Sequence, residues 1–196
     1  SSAEMLAQAR KRDAQVAWIE GDIAAFAPAT PPALIFTTAA LQWLPDHAAL
    51  FPRLAGSLTP GGCLAVQMPN NLNEPSHVAM REVAAEGPWA EKLANAKAER
   101  ATIGSFGDYR RWLIEAGCRV DIWQTTYVHA LANLEAIAEW FKSTGLKPYL
   151  DRLTAEEQKD FLARYLERIA PHYPVESDGK VLLRFPRLFV VAVREG

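Results

Sequence analysis

The sequence predicts an α/β fold, in which helices pack against a sheet. Segments with the helical hydrophobic period alternate along the chain with short apolar segments of strand type. Hydrophobic residues make up 49% of the 196 residues and charged residues 22%, an ordinary balance for one domain with a sizeable core, or one domain with a small cap. No internal repeat or low-complexity linker interrupts the alternation.

The first half of the chain predicts two helices and three strands. Ser1 and Glu4 have the spacing of a capping box, so a helix is expected at the start. Asp46 can cap a second helix, which the Thr-Pro-Gly-Gly sequence at 59–62 ends. Three short apolar segments predict strands: residues 16–20, 33–37 and 63–68.

The second half predicts a helix at 107–116, stopped by Gly117, and strands at 120–128 and 188–193. Residues 69–104 are polar and partly helical. Residues 132–172 predict two amphipathic helices, one capped by Asn133 and one by a capping box of Thr154 and Glu157. Insertions of this kind usually lie over the carboxyl edge of the sheet, where ligands bind, although they can also only fill out the core.

The predicted domains follow from this division. Residues 1–131 and 173–196 are expected to form the sheet domain, and residues 132–172 a helical cap or lid. The apolar faces of the cap helices are single, so they need the sheet domain to cover them.

Charge and cysteine content exclude several classes of protein. The net charge of −2 provides no global field for nucleic acid, and no apolar run reaches the roughly 20 residues that span a bilayer, so neither nucleic acid nor membrane is expected as a partner. No signal peptide is visible. Cys63 and Cys118 are far apart, without metal-ligand spacing, so free thiols, no metal site and a cytoplasmic location are expected.

The order of elements around 16–68 resembles the latter part of the class I S-adenosylmethionine-dependent methyltransferase domain. The segments that carry this resemblance are Glu-Gly-Asp-Ile at 20–23, Leu-Ile-Phe-Thr at 34–37 and Leu-Thr-Pro-Gly-Gly at 58–62. The resemblance implies that Asp22 accepts a hydrogen bond from the adenine amino group and that Ile23 packs on the ring. It also implies cofactor contacts at Thr38, Ala39 and Trp43, although Trp43 can equally be core packing.

Within that group the chain is similar to the trans-aconitate methyltransferases over nearly its whole length. The matching segments are Leu-Gln-Trp-Leu-Pro-Asp-His at 41–47, Ala-Val-Gln-Met-Pro at 65–69, Met-Arg-Glu-Val-Ala at 80–84, Val-Asp-Ile-Trp at 120–123 and Phe-Pro-Arg-Leu-Phe at 185–189. The resemblance weakens between residues 86 and 106. It implies transfer of a methyl group from S-adenosylmethionine to a carboxylate of a small polycarboxylic acid, most simply trans-aconitate.

Two parts of the family pattern do not occur in this sequence. They are the Gly-rich loop after the first strand and the acidic residue that binds the ribose hydroxyls. The expected fold is therefore a Rossmann-like class I methyltransferase sheet lacking its first two strands, with a helical cap inserted before the last strand. An N-terminally incomplete chain of this kind is expected to be inactive by itself.

The implied reaction needs positioning rather than acid–base catalysis, because a carboxylic acid with a pKa of about 4 is already a nucleophile at neutral pH. No catalytic acid or base is therefore predicted, but the remaining carboxylates require cationic or donor side chains. The resemblance implies five such substrate contacts: His77, Arg81, Tyr127, His129 and Arg187. Four of them have a plainer alternative. The first two share a helical face that can be solvated surface, His129 can belong to the core, and Arg187 can form a structural pair with a charged partner.

Two other functions stay open at the level of the sequence. One is methylation of another acid, such as a malonyl group on a carrier protein, although no dense Lys/Arg cluster for a carrier protein is present. The other is a non-catalytic domain on the same fold.

Overall fold

A computed structural model of the protein describes residues 3–12, 15–94 and 102–196. Within these ranges the structure has four strands: β1 (Leu34–Thr38), β2 (Cys63–Pro69), β3 (Cys118–Leu131) and β4 (Val181–Arg194). It also has eight α-helices: α1 (Ala3–Arg12), α2 (His47–Gly56), α3 (Pro75–Ala85), α4 (Ala90–Leu93), α5 (Phe106–Glu115), α6 (Leu134–Lys142), α7 (Lys147–Leu150) and α8 (Ala155–Ile169). The α/β prediction is confirmed.

The four strands form one sheet in the order β1-β2-β4-β3. Strands β1 and β2 are parallel and are connected through α2, whereas β4 is antiparallel to both of its neighbours. The carboxyl ends of β1 and β2 therefore meet the amino-terminal half of β4. Pro69, the last residue of β2, pairs with Arg187.

The first hydrophobic core lies between one face of the sheet and helices α2 and α5. Alternate residues of β2 (Leu64, Val66 and Met68) point into it, as the period of a strand requires. On the helix side, Phe51 of α2 and Tyr109 of α5 pack ring against ring, with 4.7 Å between their centroids.

The second core joins the helices after β2 and β3 to the sheet. Helices α3, α6 and α8 bury their apolar faces against one another and against Val181 and Leu183 of β4. Phe161 of α8 is fully buried at its centre. The segment 132–172 thus contacts α3 and the start of β4 directly.

The predicted caps of this segment are confirmed. The Asn133 side chain accepts a hydrogen bond from the backbone N–H of Ala136, and Thr154 and Glu157 form the reciprocal capping box of α8. The segment contains a further short helix, α7, between the two that the sequence predicts. The capping box proposed for Ser1 and Glu4 involves a residue outside the described part of the chain.

The strand predicted at residues 16–20 is wrong. These residues are irregular and Ile19 is 84% exposed. They pair with none of the four strands, and an extended segment without a partner leaves its backbone groups to water. In contrast, β3 and β4 are longer than predicted, because they pair with each other over 14 positions.

Candidate functional site

A cavity of about 1030 Å³ opens at the carboxyl ends of β1 and β2, and we call it the edge cavity. Its walls come from the segments that follow β1 and β2, from α3, from the region between α6 and α8, and from the start of β4. Five predicted site residues line it: Ala39, Trp43, His77, Arg81 and Arg187. The fold therefore brings together side chains that lie up to 148 positions apart in the chain (187 − 39).

A second hollow of about 630 Å³ lies on the sheet face that α2 and α5 do not cover, and we call it the face hollow. Thr38, Tyr127 and His129 line it, and Phe185 and Arg187 belong to both spaces. This face is apolar and open, since Phe36 is 68% exposed and Trp123, stacked on Phe189, is 42% exposed. Eight of the ten predicted site residues thus line one or both of these adjoining spaces. Asp22 and Ile23 line neither.

The turn after β1 has a constrained backbone. Ala39 has a φ of 50°, in the left-handed region that costs a residue with a side chain roughly 1–2 kcal/mol. Two hydrogen bonds hold this conformation: the Ala39 N–H donates to the Gln67 carbonyl at 2.9 Å, and its carbonyl accepts from Gln42 Nε2 at 2.8 Å. The turn therefore ends β1 sharply and directs Gln42 and Trp43 to the edge cavity. Such strain commonly occurs at functional sites.

Arg187 is half-buried where the two spaces meet. With the Gln67 amide oriented so that its oxygen faces the guanidinium, that oxygen accepts from Arg187 Nε at 3.2 Å and Nη1 at 2.8 Å. The Gln67 nitrogen then donates to Thr38 Oγ1 at 2.8 Å. The guanidinium also lies over the Phe185 ring, 4.8 Å from its centroid. If Arg187 had only a structural role, a charged partner would be expected, but its partner here is the neutral amide of Gln67. No ion pair with Arg187 occurs among the described residues.

Arg81 and His77 lie one turn apart on α3 and both reach the edge cavity. Arg81 is exposed and lies near Tyr149. Burial raises the pKa of the Tyr149 hydroxyl, and the positive charge of Arg81 opposes that rise. His77 is buried and packs edge-on against Phe141 of α6 at 4.7 Å. Of this pair, Arg81 is therefore the side chain with direct access to a ligand.

His129 and Tyr127 lie on the same face of β3. The His129 ring packs against Trp140 of α6, with 4.8 Å between centroids, so it connects the sheet to the helical segment. Tyr127 is 47% exposed in the face hollow. Neither lines the edge cavity, so any contact with a ligand there would have to extend past Phe185 and Arg187.

Asp22 and Ile23 begin a short 3₁₀ turn, Ile23–Ala25. Asp22 Oδ1 accepts from the Ala24 N–H at 2.9 Å, which leaves further acceptor positions of this exposed carboxylate for a ligand. Arg53 of α2 holds the turn by donating to the carbonyls of Ala24 at 2.8 Å and Phe26 at 2.5 Å. The cofactor contacts of Asp22 and Ile23 stay predictions.

Comparison with curated proteins identifies the family. The chain is 59% identical over 194 residues to a trans-aconitate 2-methyltransferase of Methylobacterium nodulans, covering 99% of this chain and 75% of that protein. It is 50% identical to the proteins of the same name from Variovorax paradoxus and Rhizobium etli, covering 76% of each and 100% and 99% of this chain. The chain belongs to the trans-aconitate 2-methyltransferase family. No family model matches it.

Solved structures agree with the fold of this family. A methyltransferase of Bacillus halodurans superposes with a TM-score of 0.57 at 16% identity, covering 100% of this chain and 80% of that one. A loganic acid methyltransferase with SAH has a TM-score of 0.54 at 12% identity, covering 90% of this chain and 65% of that one. At these identities the likeness concerns the fold alone.

A buried hydrogen-bond chain behind the edge cavity was not found by sequence reasoning about the family. His47 Nε2 lies 2.9 Å from the Leu41 carbonyl, which only accepts, so Nε2 carries a proton. Its Nδ1 accepts from the Tyr109 hydroxyl at 2.6 Å, and that hydroxyl in turn accepts from the Gly104 N–H at 3.2 Å. Burial raises the pKa of Tyr109, which keeps this hydroxyl a donor. These hydrogen bonds hold the 3₁₀ turn Leu41–Trp43 in place through the Leu41 carbonyl.

Two further cations, Lys147 and Arg152, line the edge cavity. Lys147 is paired with Asp151 at 2.6 Å, and Arg152 donates to the Pro148 carbonyl at 3.0 Å. They lie in the irregular region around α7, where no periodic pattern marks a facing side chain. In the described ranges no cluster of three His, Cys, Asp or Glu side chains could hold a metal ion, and no helix is long and apolar enough to cross a membrane.

Proposed function

We propose that the protein transfers the methyl group of S-adenosylmethionine to one carboxylate of trans-aconitate and forms a monomethyl ester. The observation that carries the proposal is Arg187, a half-buried cation without a carboxylate partner, in a cavity that Arg81 also reaches. A guanidinium pairs best with a carboxylate, and trans-aconitate has two besides the one that reacts. The names of the curated relatives support the same substrate.

The chemistry requires alignment rather than proton transfer. S-adenosylmethionine supplies, when bound, a methyl group already activated on a sulfonium. The attacking carboxylate oxygen forms the new C–O bond as the C–S bond breaks, and the electron pair stays on sulfur. Arg187 and Arg81 hold the other two carboxylates, so that the reacting oxygen keeps its charge and its direction. Alignment of this kind can lower a barrier by roughly 7–11 kcal/mol.

The cofactor wall is proposed on the β1 side of the edge cavity. Ala39 and Trp43 line the cavity there and Thr38 adjoins them in the face hollow, while Asp22 and Ile23 would bind the adenine end. Gln42 lines the same side, and its buried Oε1 has no hydrogen-bond partner among the described residues. The residues present thus fit part of the cofactor, without the Gly-rich loop and the ribose-binding acid of the family pattern.

The helical segment 132–172 is proposed as the lid of the cavity. Trp140 and Gly145 line the cavity opposite the ends of the strands. A methyl group added at Gly145 would approach Met80 Sδ to 3.1 Å and His77 Nε2 to 3.5 Å, so the segment already lies close against α3. Three predicted substrate residues would lie where the lid meets α3 and the sheet: His77, Tyr127 and His129. They would contact the substrate when the lid closes on it.

A cytoplasmic location is part of the proposal. Both cysteines are free thiols, as is usual in a reducing compartment.

A substrate panel tests the proposal. Methyl transfer from labelled S-adenosylmethionine is measured with trans-aconitate, cis-aconitate, citrate, a monocarboxylic acid and a malonyl carrier protein. We expect trans-aconitate to exceed the monoacid by at least about 10²-fold in kcat/KM, because a monoacid leaves the half-buried Arg187 and the exposed Arg81 without carboxylate partners. Preference for the carrier protein, or equal rates with the monoacid, would refute the tricarboxylate substrate.

A further inference from the structure

The edge cavity has a local excess of positive charge. Four of the side chains that line it are cationic and, among the described residues, one is a carboxylate: Arg81, Lys147, Arg152 and Arg187 against Asp151. The cavity wall therefore has three positive charges in excess, whereas the whole chain has a formal net charge of −2. Charges of one sign that line a cleft focus its field, so this wall attracts anions.

The proposed function uses only two of these cations. Arg187 and Arg81 account for the two carboxylates of trans-aconitate that do not react. The other three charged residues lie on α7 and directly after it, within the helical segment 132–172, and we call them the α7 charges: Lys147, Asp151 and Arg152. All three are exposed, and the transfer of the methyl group gives them no role.

The α7 charges lie beside the proposed substrate site. Tyr149 of α7 lines the same cavity and lies near Arg81. Lys147 Nζ pairs with Asp151 at 2.6 Å, with both side chains 58% exposed, and an exposed pair of this kind stabilises a protein little. Arg152 donates one N–H to the Pro148 carbonyl at 3.0 Å, which leaves most of its guanidinium donors unused by that contact.

We propose that the α7 charges set the selectivity of the edge cavity for acids of high negative charge. This inference rests on the proposed function. Lys147 and Arg152 attract the substrate through solvent, whereas Asp151 repels it and limits that attraction. None of the three needs to touch a carboxylate, since the Debye length at 0.1 M ionic strength is about 10 Å. The α7 charges are thus specificity-determining groups and not catalytic residues.

The same field distinguishes the substrate from its product. Trans-aconitate is a trianion when all of its carboxyl groups are ionised, and methylation removes one of these charges. A Coulomb energy is proportional to the charge of the ligand, so the cavity holds the ester less strongly than the acid. The loss of charge on methylation therefore favours replacement of the product by new substrate.

The two partners of the Lys147–Asp151 pair should have opposite effects on binding, which tests the proposal. Calorimetric titration with trans-aconitate gives Kd for the wild type, Lys147→Met, Arg152→Met and Asp151→Asn. At about 0.1 M ionic strength we expect weaker binding by about two- to fivefold in the first two variants, and stronger binding by a similar factor in Asp151→Asn. At about 1 M, where the Debye length is about 3 Å, all differences should fall below about 1.5-fold.

A purely structural role predicts a different pattern. Lys147→Met and Asp151→Asn break the same ion pair, so an effect through the shape of α7 would change Kd in the same direction in both. The matched control is the Lys142–Glu139 pair on α6, whose residues do not line the cavity. Lys142→Met and Glu139→Gln should each change Kd by less than about 1.5-fold at about 0.1 M.

A series of ligands provides the second measurement. The loss of affinity in Lys147→Met should decrease from trans-aconitate to its monomethyl ester and to a monocarboxylic acid. Changes of the same sign in Lys147→Met and Asp151→Asn, differences that persist at about 1 M, equal effects on acid and ester, or no binding of trans-aconitate to the wild type would overturn the inference. The proposed function fails separately if Kd depends on the α7 charges as expected but the wild type transfers no methyl group to trans-aconitate.

Discussion

Replacement of Arg187 by methionine should abolish much of the selectivity for a polycarboxylate. The variant keeps an unbranched side chain over Phe185 but removes every donor that faces the edge cavity from β4. In the wild type, Gln67 engages Nε and Nη1, which leaves Nη2 and the second hydrogen of Nη1 for a substrate carboxylate. The perturbation is therefore the loss of one partly buried, charge-assisted contact.

The magnitude follows from that contact. A hydrogen bond to a charged group contributes about 1.5–3 kcal/mol, and each 1.4 kcal/mol is a factor of ten. We expect kcat/KM for trans-aconitate to fall by about 10- to 100-fold in Arg187→Met. The rate with a monocarboxylic acid should change by less than about threefold, since a monoacid has no second carboxylate for Arg187.

Steady-state kinetics with both acids, together with the affinity for S-adenosylhomocysteine, tests this reasoning. Arg111→Met is the control, since Arg111 forms an exposed ion pair with Asp108 and does not line the cavity. It should leave all three quantities unchanged. If Arg187→Met lowers the melting temperature but leaves the ratio of the two kcat/KM values as in the wild type, Arg187 is structural and the substrate assignment is refuted.

Two predictions concern stability. Tyr109→Phe leaves His47 Nδ1 without its donor and the Gly104 N–H without its acceptor, so the free energy of unfolding in urea should fall by about 1–3 kcal/mol. As a control, replacement of an exposed tyrosine in Tyr127→Phe should change the free energy of unfolding by less than about 0.5 kcal/mol. An equal effect of the two substitutions would contradict the buried hydrogen bonds of Tyr109. The hydrogen bond from Lys92, then that from the Thr154 N–H, lowers the pKa of Glu157. Because the folded-state pKa is the lower one, this contribution is present above the unfolded value of about 4.3 and is lost as the pH falls through the folded value. Glu157→Gln should therefore be less stable than wild type at pH 7 and equal to it near pH 2, as measured by thermal unfolding across pH; a difference that persists near pH 2 would exclude this charge as the cause.

The sequence by itself determined the local structure and the family. Capping residues such as Asn133 and Thr154 act within one turn of their own helix, so their pattern is visible in the chain and predicts the ends of α6 and α8 correctly. The alternation of apolar and polar residues that predicts β3 and β4 is also visible in the chain, because it repeats every two residues. The family resemblance required only that many short segments occur in the right order.

Only the tertiary structure decided which of these segments pair and which side chains meet. Residues 16–20 have strand composition, yet a strand exists only with a partner, and the described sheet offers them none. The antiparallel insertion of β4 between β2 and β3 brings Arg187 to Gln67, 120 positions earlier, with a neutral partner where charge balance suggested a carboxylate.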